Sequence, residues 1–259
     1  MVRESGYRLS TNAALEQRGR AGGAWRHAVP PLRVALTEPY RWGANLSATG
    51  TGVKSAALRW QDLAERDVSA GAPPIDLSVS LGSHYNPLVR RMRALPKPIV
   101  CAVNGIAAGA GANLALACDV VVAARSASFV QSFSRLGLVP DAGGSYFLPR
   151  LVGMARAMGL ALLVEKLDAE QAAQWGLIWK VVDDAELPAV TRALAEKLAS
   201  GPTKGYGLLK KAIYASAGNL LDAQLDLERD LQREAGLTDD YREGVTAFKE
   251  KREPRFKGQ

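Results

Sequence analysis

Residues 98–124 constrain the fold most, because they hold two apolar runs separated by a glycine-flanked helical run. Ile99–Val103 is short, rich in β-branched residues and closed by an Asn-Gly pair, which predicts a buried strand ending in a turn. Val120–Ala124 predicts a second buried strand, and the Ala/Leu run between the two favours a helix over about residues 111–118. We therefore predict that the two strands are neighbours joined by this helix.

Gly109 and Gly111 lie at the predicted N-terminus of that helix. Backbone N–H groups there have no partner within the helix, and the helix dipole is positive. Such a site binds a phosphate, or it stabilises the oxyanion that forms when a carbonyl becomes an enolate or tetrahedral species. A dinucleotide fingerprint is disfavoured, because Leu114 occupies its third glycine position. A structural alternative is that the glycines only permit tight packing of helix on strand.

Composition excludes several other classes of protein. The net charge is +7, but residues 1–60 hold nine Lys and Arg against three Asp and Glu, so the basic bias is N-terminal and nucleic-acid binding is not expected. Cys101 and Cys118 lie in apolar runs without metal-ligand or disulfide spacing, which favours a reducing compartment. Residues 1–20 have no apolar core of a signal peptide, and polar residues interrupt the longest apolar stretch. We therefore expect a cytoplasmic protein and no membrane association.

Several short motifs follow one another along the chain. They are residues 95–98 (Leu-Pro-Lys-Pro), 102–111, 117–119 (Ala-Cys-Asp), 136–140, 143–144 (Gly-Gly), 175–177 (Trp-Gly-Leu) and 243–248. Together they resemble the crotonase (enoyl-CoA hydratase/isomerase) superfamily from roughly Gln61 to the C-terminus. The resemblance implies an α/β fold, a crotonase-type spiral of ββα units over residues 1–200. It also implies a C-terminal helical region, residues 201–259, that packs between subunits of a homotrimer or a dimer of trimers.

The first 60 residues depart from this family, in which a hairpin, a helix and an aliphatic strand lead into a loop of small residues. Here only residues 32–36 predict a strand, and Arg59-Trp60 stands in place of the small-residue loop. We hypothesise that residues 1–60 derive from a shifted reading frame or a mis-called start; the alternative is genuine divergence. Intact mass and peptide mapping of protein made from the native gene would decide, since an Arg59-Trp60 peptide contradicts the frame shift.

The resemblance implies a site for an acyl-CoA thioester whose carbonyl oxygen is held by two backbone N–H donors. By position, one donor is the N–H of Ala110 and the other is the N–H of Arg59, where the bulk of Arg59 and Trp60 would narrow the pocket. Hydratases of the family activate water with two glutamates, and these align with Asn113 and Phe133. Without that carboxylate pair, hydratase activity should be weak.

Asp141 is the acid that remains, in a loop where several isomerases of the superfamily carry their catalytic carboxylate. A structural alternative is that Asp141 is the N-cap of the helix that follows. No metal ion and no cofactor are expected, since coenzyme A is part of the substrate. The resemblance further implies that these residues contact the substrate: Gln61, Asp62, Leu63, Ile106, Ala108, Gly109, Asn113, Phe133 and Leu138.

Residues 224–230 and 240–244 resemble those members that rearrange a ring epoxide of phenylacetyl-CoA in phenylacetate degradation. We therefore expect an acyl-CoA isomerase in which Asp141 shuttles one proton. The alternatives are an enoyl-CoA hydratase of fatty-acid β-oxidation, a dehalogenase-like relative with a nucleophilic aspartate, and a non-catalytic CoA-binding or RNA-binding homologue.

Periodicity and punctuation predict the remaining elements. Residues 76–93 should be helical with an interruption at Asn86-Pro87, and His84 should lie at the surface. Asp168 begins a helix that Gly176 ends. Other elements are predicted at residues 154–163, 178–182 (a strand), 187–200, 204–217, 220–235 and 238–251. In the helix over residues 220–235, Leu221, Leu225 and Leu231 repeat at helical spacing and are predicted to be core.

Overall fold

A computed structural model describes residues 33–36, 44–45 and 69–259. One sheet is formed by β1 (Arg33–Leu36), β2 (Ala44–Asn45), β3 (Ile99–Val103), β5 (Val120–Ala124) and β8 (Lys180–Val182). The strand order is β2-β1-β3-β5-β8. Strands β3, β5 and β8 are parallel, with Val100 opposite Val120 and Ala123 opposite Val181, whereas β1 runs antiparallel to both β2 and β3.

A second sheet is formed by β4 (Ile106–Ala108), β6 (Ser128–Val130) and β7 (Leu167–Asp168), in the order β4-β6-β7. Strand β4 is parallel to β6, and β7 is antiparallel to it. Strand β3 is followed by β4, and β5 by β6, so each pair places one strand in each sheet before the chain turns into helices. This repeated arrangement is the one expected for a spiral of ββα units.

Helices follow each of these strand pairs and form the C-terminal part of the chain. They are α1 (Leu77–Ser80), α2 (Asn86–Ala94), α3 (Ala110–Leu116), α4 (Gly144–Val152), α5 (Met154–Leu163), α6 (Ala169–Gln174), α7 (Leu187–Ala199), α8 (Thr203–Ser216), α9 (Leu221–Gly236) and α10 (Asp239–Glu250). A π-helical turn, Leu81–Tyr85, joins α1 to α2.

The predicted unit of strand, helix and strand is confirmed. Every residue of β3 is buried, because the strand lies between β1 and β5 and helix α7 packs against it. A fully buried strand reads as a continuous apolar run, which is what Ile99–Val103 provides. Strand β5 is buried except for partial exposure of Val120.

The interruption predicted at Asn86-Pro87 is wrong. Pro87 lies in the first turn of α2, where its missing N–H costs little, because that position has no acceptor within the helix. The irregularity comes earlier, in the π-helical turn, where the N–H of Asn86 donates to the carbonyl of Leu81. His84 is exposed, as predicted.

The helix start at Asp168 is confirmed, since its side chain accepts a hydrogen bond from the N–H of Gln171 at 2.7 Å. Gly176 has the positive φ of +78° expected after a helix end. The strand predicted at residues 178–182 begins two residues later, at Lys180.

The core assignment in α9 is wrong for two of three leucines. Leu231 is buried, but Leu221 is 72% and Leu225 52% exposed. Helix α10 likewise exposes Tyr241 and Phe248. Helical spacing shows only that apolar residues share a face, and among the described residues nothing buries Leu221 and Leu225. Over the residues described, the structure contains no helix long and apolar enough to span a bilayer.

Candidate active site

Gly109 opens the candidate site at the N-terminus of α3. Its φ of +52° and ψ of −125° suit glycine. A Cβ atom here would lie 3.5 Å from Phe133 Cζ, an ordinary contact, and 3.2 Å from Ser132 Oγ, which is tight, so glycine is favoured mainly by the positive φ. The first intrahelical bond of this turn runs from the N–H of Asn113 to the carbonyl of Gly109. The N–H of Ala110 therefore begins the helix without an acceptor inside it.

Asn113, in the same helix, is completely buried, with 0% exposure. Its Nδ2 donates to the carbonyl oxygen of Asp141 at 2.8 Å, and its Oδ1 accepts from Gln131 Nε2 at 2.8 Å. Gln131 is itself 4% exposed. The amide is therefore committed at both ends to contacts within the protein. Because a side-chain amide is neutral and does not ionise, Asn113 cannot act as a general acid or base at this position.

The loop that carries Asp141 turns sharply into α4. Its carbonyl accepts a second hydrogen bond, from the N–H of Gly144 at 2.8 Å. Ala142 is buried and has a φ of +49°, a left-handed conformation that costs a non-glycine residue about 1 kcal/mol or more. The loop therefore depends on its surroundings to keep this shape.

Close packing at two glycines supplies part of those surroundings. A Cβ atom on Gly144 would overlap the side-chain amide of Asn113, and one on Gly143 would overlap the ring of Phe147. The loop backbone thus lies directly against α3 on one side and against an aromatic ring of α4 on the other.

Asp141 is not the N-cap of α4. The helix begins at Gly144, its N-cap residue is Gly143, and no side chain caps it. The capping alternative considered from the sequence is therefore wrong. Asp141 lies two residues before the cap, and its Oδ1 atom is buried from solvent.

The other residues predicted to contact substrate divide into three groups. Phe133 is buried against Gly109, and its carbonyl accepts a hydrogen bond from the N–H of Leu138 at 3.0 Å. Ile106 is exposed and Ala108 half-buried, both on β4, which leads into Gly109. The predictions for Arg59, Gln61, Asp62 and Leu63 lie outside the described residues.

A buried ion pair between Lys210 and Asp119 ties α8 to the core. Lys210 Nζ is 2.7 Å from Asp119 Oδ2 and also donates to the carbonyl of Lys97 at 2.8 Å. Asp119 Oδ2 accepts from the N–H of Ile99 at 2.6 Å as well, and Oδ1 accepts from the hydroxyl of Tyr214. Burial, followed by the hydrogen bond to Asp119, raises the pKa of Tyr214 above its ordinary value.

Arg93 connects this ion pair to the loop. Its guanidinium carbon lies 3.1 Å from the ring centroid of Tyr214 and 5.0 Å from that of Phe147, the ring that packs on Gly143. The contacts thus continue from the buried ion pair to the backbone next to Asp141.

Sequence reasoning missed Gln131, Gly144 as a contact of Asn113, and Lys210. Gln131 gave no signal, because a glutamine after a short strand is ordinary. Lys210 gave a weak one, since Tyr206, Lys210 and Tyr214 repeat every four residues and so share one face of α8.

Cysteine and metal-ligating residues add nothing further to this site. Cys101 and Cys118 are buried free thiols, and a hydrogen bond with Cys101, together with burial, raises the pKa of Cys118 well above its ordinary value. Among the described residues, no group of three His, Cys, Asp or Glu side chains is arranged to hold a metal ion.

Residues 70–259 match the enoyl-CoA hydratase/isomerase family, and the chain belongs to this family of enzymes. It is 58% identical over 208 residues to the 1,2-epoxyphenylacetyl-CoA isomerase of Escherichia coli (strain K12), covering 80% of this chain and 79% of that protein. It is 51% identical over 208 residues, with the same coverage, to a protein of Rhodobacter capsulatus named probable enoyl-CoA hydratase. The crystal structure of an enoyl-CoA hydratase from Bacillus anthracis matches with a TM-score of 0.69 and 35% identity, over 73% of each chain.

Proposed function

We propose that the protein is an acyl-CoA isomerase in which Asp141 is the single acid and base. The observation that carries this proposal is the state of Asn113. It occupies the position of one hydratase glutamate, yet it is a buried neutral amide with both ends hydrogen-bonded. The other glutamate position is Phe133, which is also buried. Asp141, whose carbonyl Asn113 holds, is then the carboxyl group left for proton transfer.

The proposed reaction moves one proton within the acyl group. The Asp141 carboxylate removes a proton from the α-carbon, next to the thioester carbonyl. The electron pair moves onto the thioester oxygen and forms an enolate. The N–H of Ala110, which has no acceptor within α3, donates to that oxygen. For a 3-enoyl-CoA, the enolate then collapses as protonated Asp141 returns the proton to the γ-carbon and the β,γ double bond moves to the α,β position, so that atoms and charge balance. The proposed step transfers a proton without changing an oxidation state, so it needs no redox cofactor, and coenzyme A is part of the substrate.

The identity with the 1,2-epoxyphenylacetyl-CoA isomerase supports an aromatic acyl group and a role in phenylacetate catabolism. A turnover screen tests both the isomerase activity and the identity of the acyl group. Its substrates are the ring epoxide of phenylacetyl-CoA, a 3-enoyl-CoA and a 2-enoyl-CoA. We expect isomerisation of one of the first two, with little hydration of the third. Hydration of the 2-enoyl-CoA that exceeds isomerisation would instead favour the hydratase alternative.

Exposed apolar side chains on the two C-terminal helices support assembly into a homotrimer or a dimer of trimers. Tyr241 and Phe248 on α10, with Leu221 and Leu225 on α9, are each more than half exposed in the single chain. Sedimentation equilibrium measures the assembly directly. A monomer at micromolar concentration would contradict this part of the proposal.

Ala110→Leu is expected to lower isomerisation by about 10²- to 10³-fold, the usual cost of losing one oxyanion donor. Ala110 is buried at the start of α3, so a leucine side chain would occupy the space beside its N–H that the thioester oxygen needs. The measurement is kcat/KM, with the melting temperature as a check on folding. Ala110→Gly is the matched control, because it keeps the N–H and adds no bulk. Equal turnover by folded Ala110→Leu and Ala110→Gly would remove Ala110 from the site.

A further inference from the structure

We infer that Asn113 and Gln131 form an amide clamp that positions the Asp141 loop, defined here as residues 141–144. Asn113 is then a positioning residue for proton transfer, and the inference rests on the proposed role of Asp141. The clamp occupies the position where the hydratases of the family place a glutamate. In this chain, Asn113 at that position does not transfer a proton; it positions the carboxyl group of Asp141.

The direction of the hydrogen bonds fixes the orientation of both amides. The carbonyl of Asp141 can only accept, so Asn113 must present Nδ2 to it. Asn113 Oδ1 then points to Gln131, which must donate through Nε2. Both side chains are more than nine-tenths buried, so water does not compete for these groups. The two amides and the loop carbonyl thus form one directed chain with a single arrangement.

The shape of the loop matches this clamp. The absence of a Cβ on Gly144 lets the Asn113 amide contact the loop backbone directly. The Asp141 carbonyl accepts from both Asn113 Nδ2 and the N–H of Gly144, at 2.8 Å each. Within the turn that the Gly144 hydrogen bond closes, Ala142 is held at a positive φ of +49°. Removing the Asn113 donor leaves one anchor to hold a strained turn.

Positioning matters because a general base works only within hydrogen-bond reach of the proton that it removes. A misplacement of about 1 Å costs on the order of 10²-fold in rate. The Asp141 side chain begins on the same residue whose carbonyl is clamped. Movement of that peptide therefore moves the carboxyl group with it.

The experiment compares three variants: Asn113→Leu, Gln131→Leu and the double variant. Leucine has the same branched skeleton of heavy atoms as asparagine, although it is larger, and at both positions it removes the hydrogen-bond donors and acceptors. The readouts are kcat and KM for whichever of the ring epoxide and the 3-enoyl-CoA the unmodified protein isomerises, the free energy of unfolding, and hydrogen exchange of the peptide covering residues 141–148. Thr191→Val is the matched control, because it removes a buried hydroxyl bonded to the Leu187 carbonyl in α7, away from the loop.

Asn113→Leu should lower kcat roughly 10- to 100-fold with little change in KM, and exchange at residues 141–148 should become faster. Its stability should fall, because Gln131 is left buried without its partner. In the double variant both partners are apolar, so stability should recover while kcat stays low. Thr191→Val should lower stability without changing kcat.

Recovery of kcat together with stability in the double variant would show that the amides are merely structural, and would overturn the clamp. So would normal kcat and normal exchange in folded Asn113→Leu. The proposed function fails separately: Asp141→Asn would then retain full isomerisation, whatever the exchange of residues 141–148 shows.

Discussion

Asp141→Asn is expected to reduce isomerisation by about 10²- to 10⁴-fold, the usual contribution of general acid-base catalysis. Asparagine keeps the size of the side chain but cannot accept and return a proton. The backbone carbonyl that Asn113 and Gly144 hold is unchanged by the substitution, so the loop should keep its shape. Melting temperature and acyl-CoA binding should therefore match the unmodified protein. The measurement is kcat in single-turnover and steady-state assays.

Asp141→Ala provides the control for a structural role. An N-cap aspartate would lose ~1 kcal/mol of stability on replacement by alanine, but the N-cap of α4 is Gly143. We therefore expect Asp141→Ala and Asp141→Asn to be inactive to a similar degree and to unfold at similar temperatures. Near-normal isomerisation by the asparagine variant would exclude Asp141 as the acid and base.

Lys210→Ala is expected to lower the free energy of unfolding by about 3–5 kcal/mol, because it leaves the Asp119 carboxylate buried without its cation. The side chains of Lys210 and Asp119 are 7% and 12% exposed, so water offers little compensation. Chemical denaturation monitored by circular dichroism measures the change. The effect on isomerisation should be smaller than that of Asp141→Asn, since the ion pair is linked to the loop indirectly, through contacts of Arg93 with Tyr214 and Phe147.

Lys211→Ala is the matched control for this prediction. Lys211 is the next residue in α8 and is exposed, so its loss should change stability by no more than about 0.5 kcal/mol. Equal stability of the two variants would contradict the importance of the buried pair.

Removal of residues 201–259 would eliminate the same cation, so residues 1–200 are not expected to fold stably when expressed alone.

Local signals in the sequence predicted much of the fold. Ile99–Val103 and Val120–Ala124 are short apolar runs whose surroundings, a paired strand on each side and a covering helix, require that pattern. The helix Met154–Leu163 and the cap at Asp168 follow from periodicity and capping chemistry within a few residues. These features depend on interactions between residues close in sequence.

The parts that could not be predicted depend on contacts between distant residues. Asp119 and Lys210 are 91 positions apart, and Asn113 and Asp141 are 28 apart. The resemblance placed Asn113 and Asp141 in one site, but nothing in the sequence showed that a side-chain amide holds a backbone carbonyl. Leu221 and Leu225 were misassigned because helical spacing identifies an apolar face without identifying what covers it.

The contact between Asn113 and Gly144 also bears on how this family diverges. Glutamate at position 113 would add a methylene group and a charge where no exposure remains and where the backbone of Gly144 already touches the amide. Positions 113, 131 and 144 should therefore be epistatic, each substitution being tolerated only in the company of the others. A mutational path from this arrangement towards a hydratase is expected to pass through a loop displacement before it gains a water-activating carboxylate. A change from isomerase to hydratase would then require several coupled substitutions rather than one substitution at position 113.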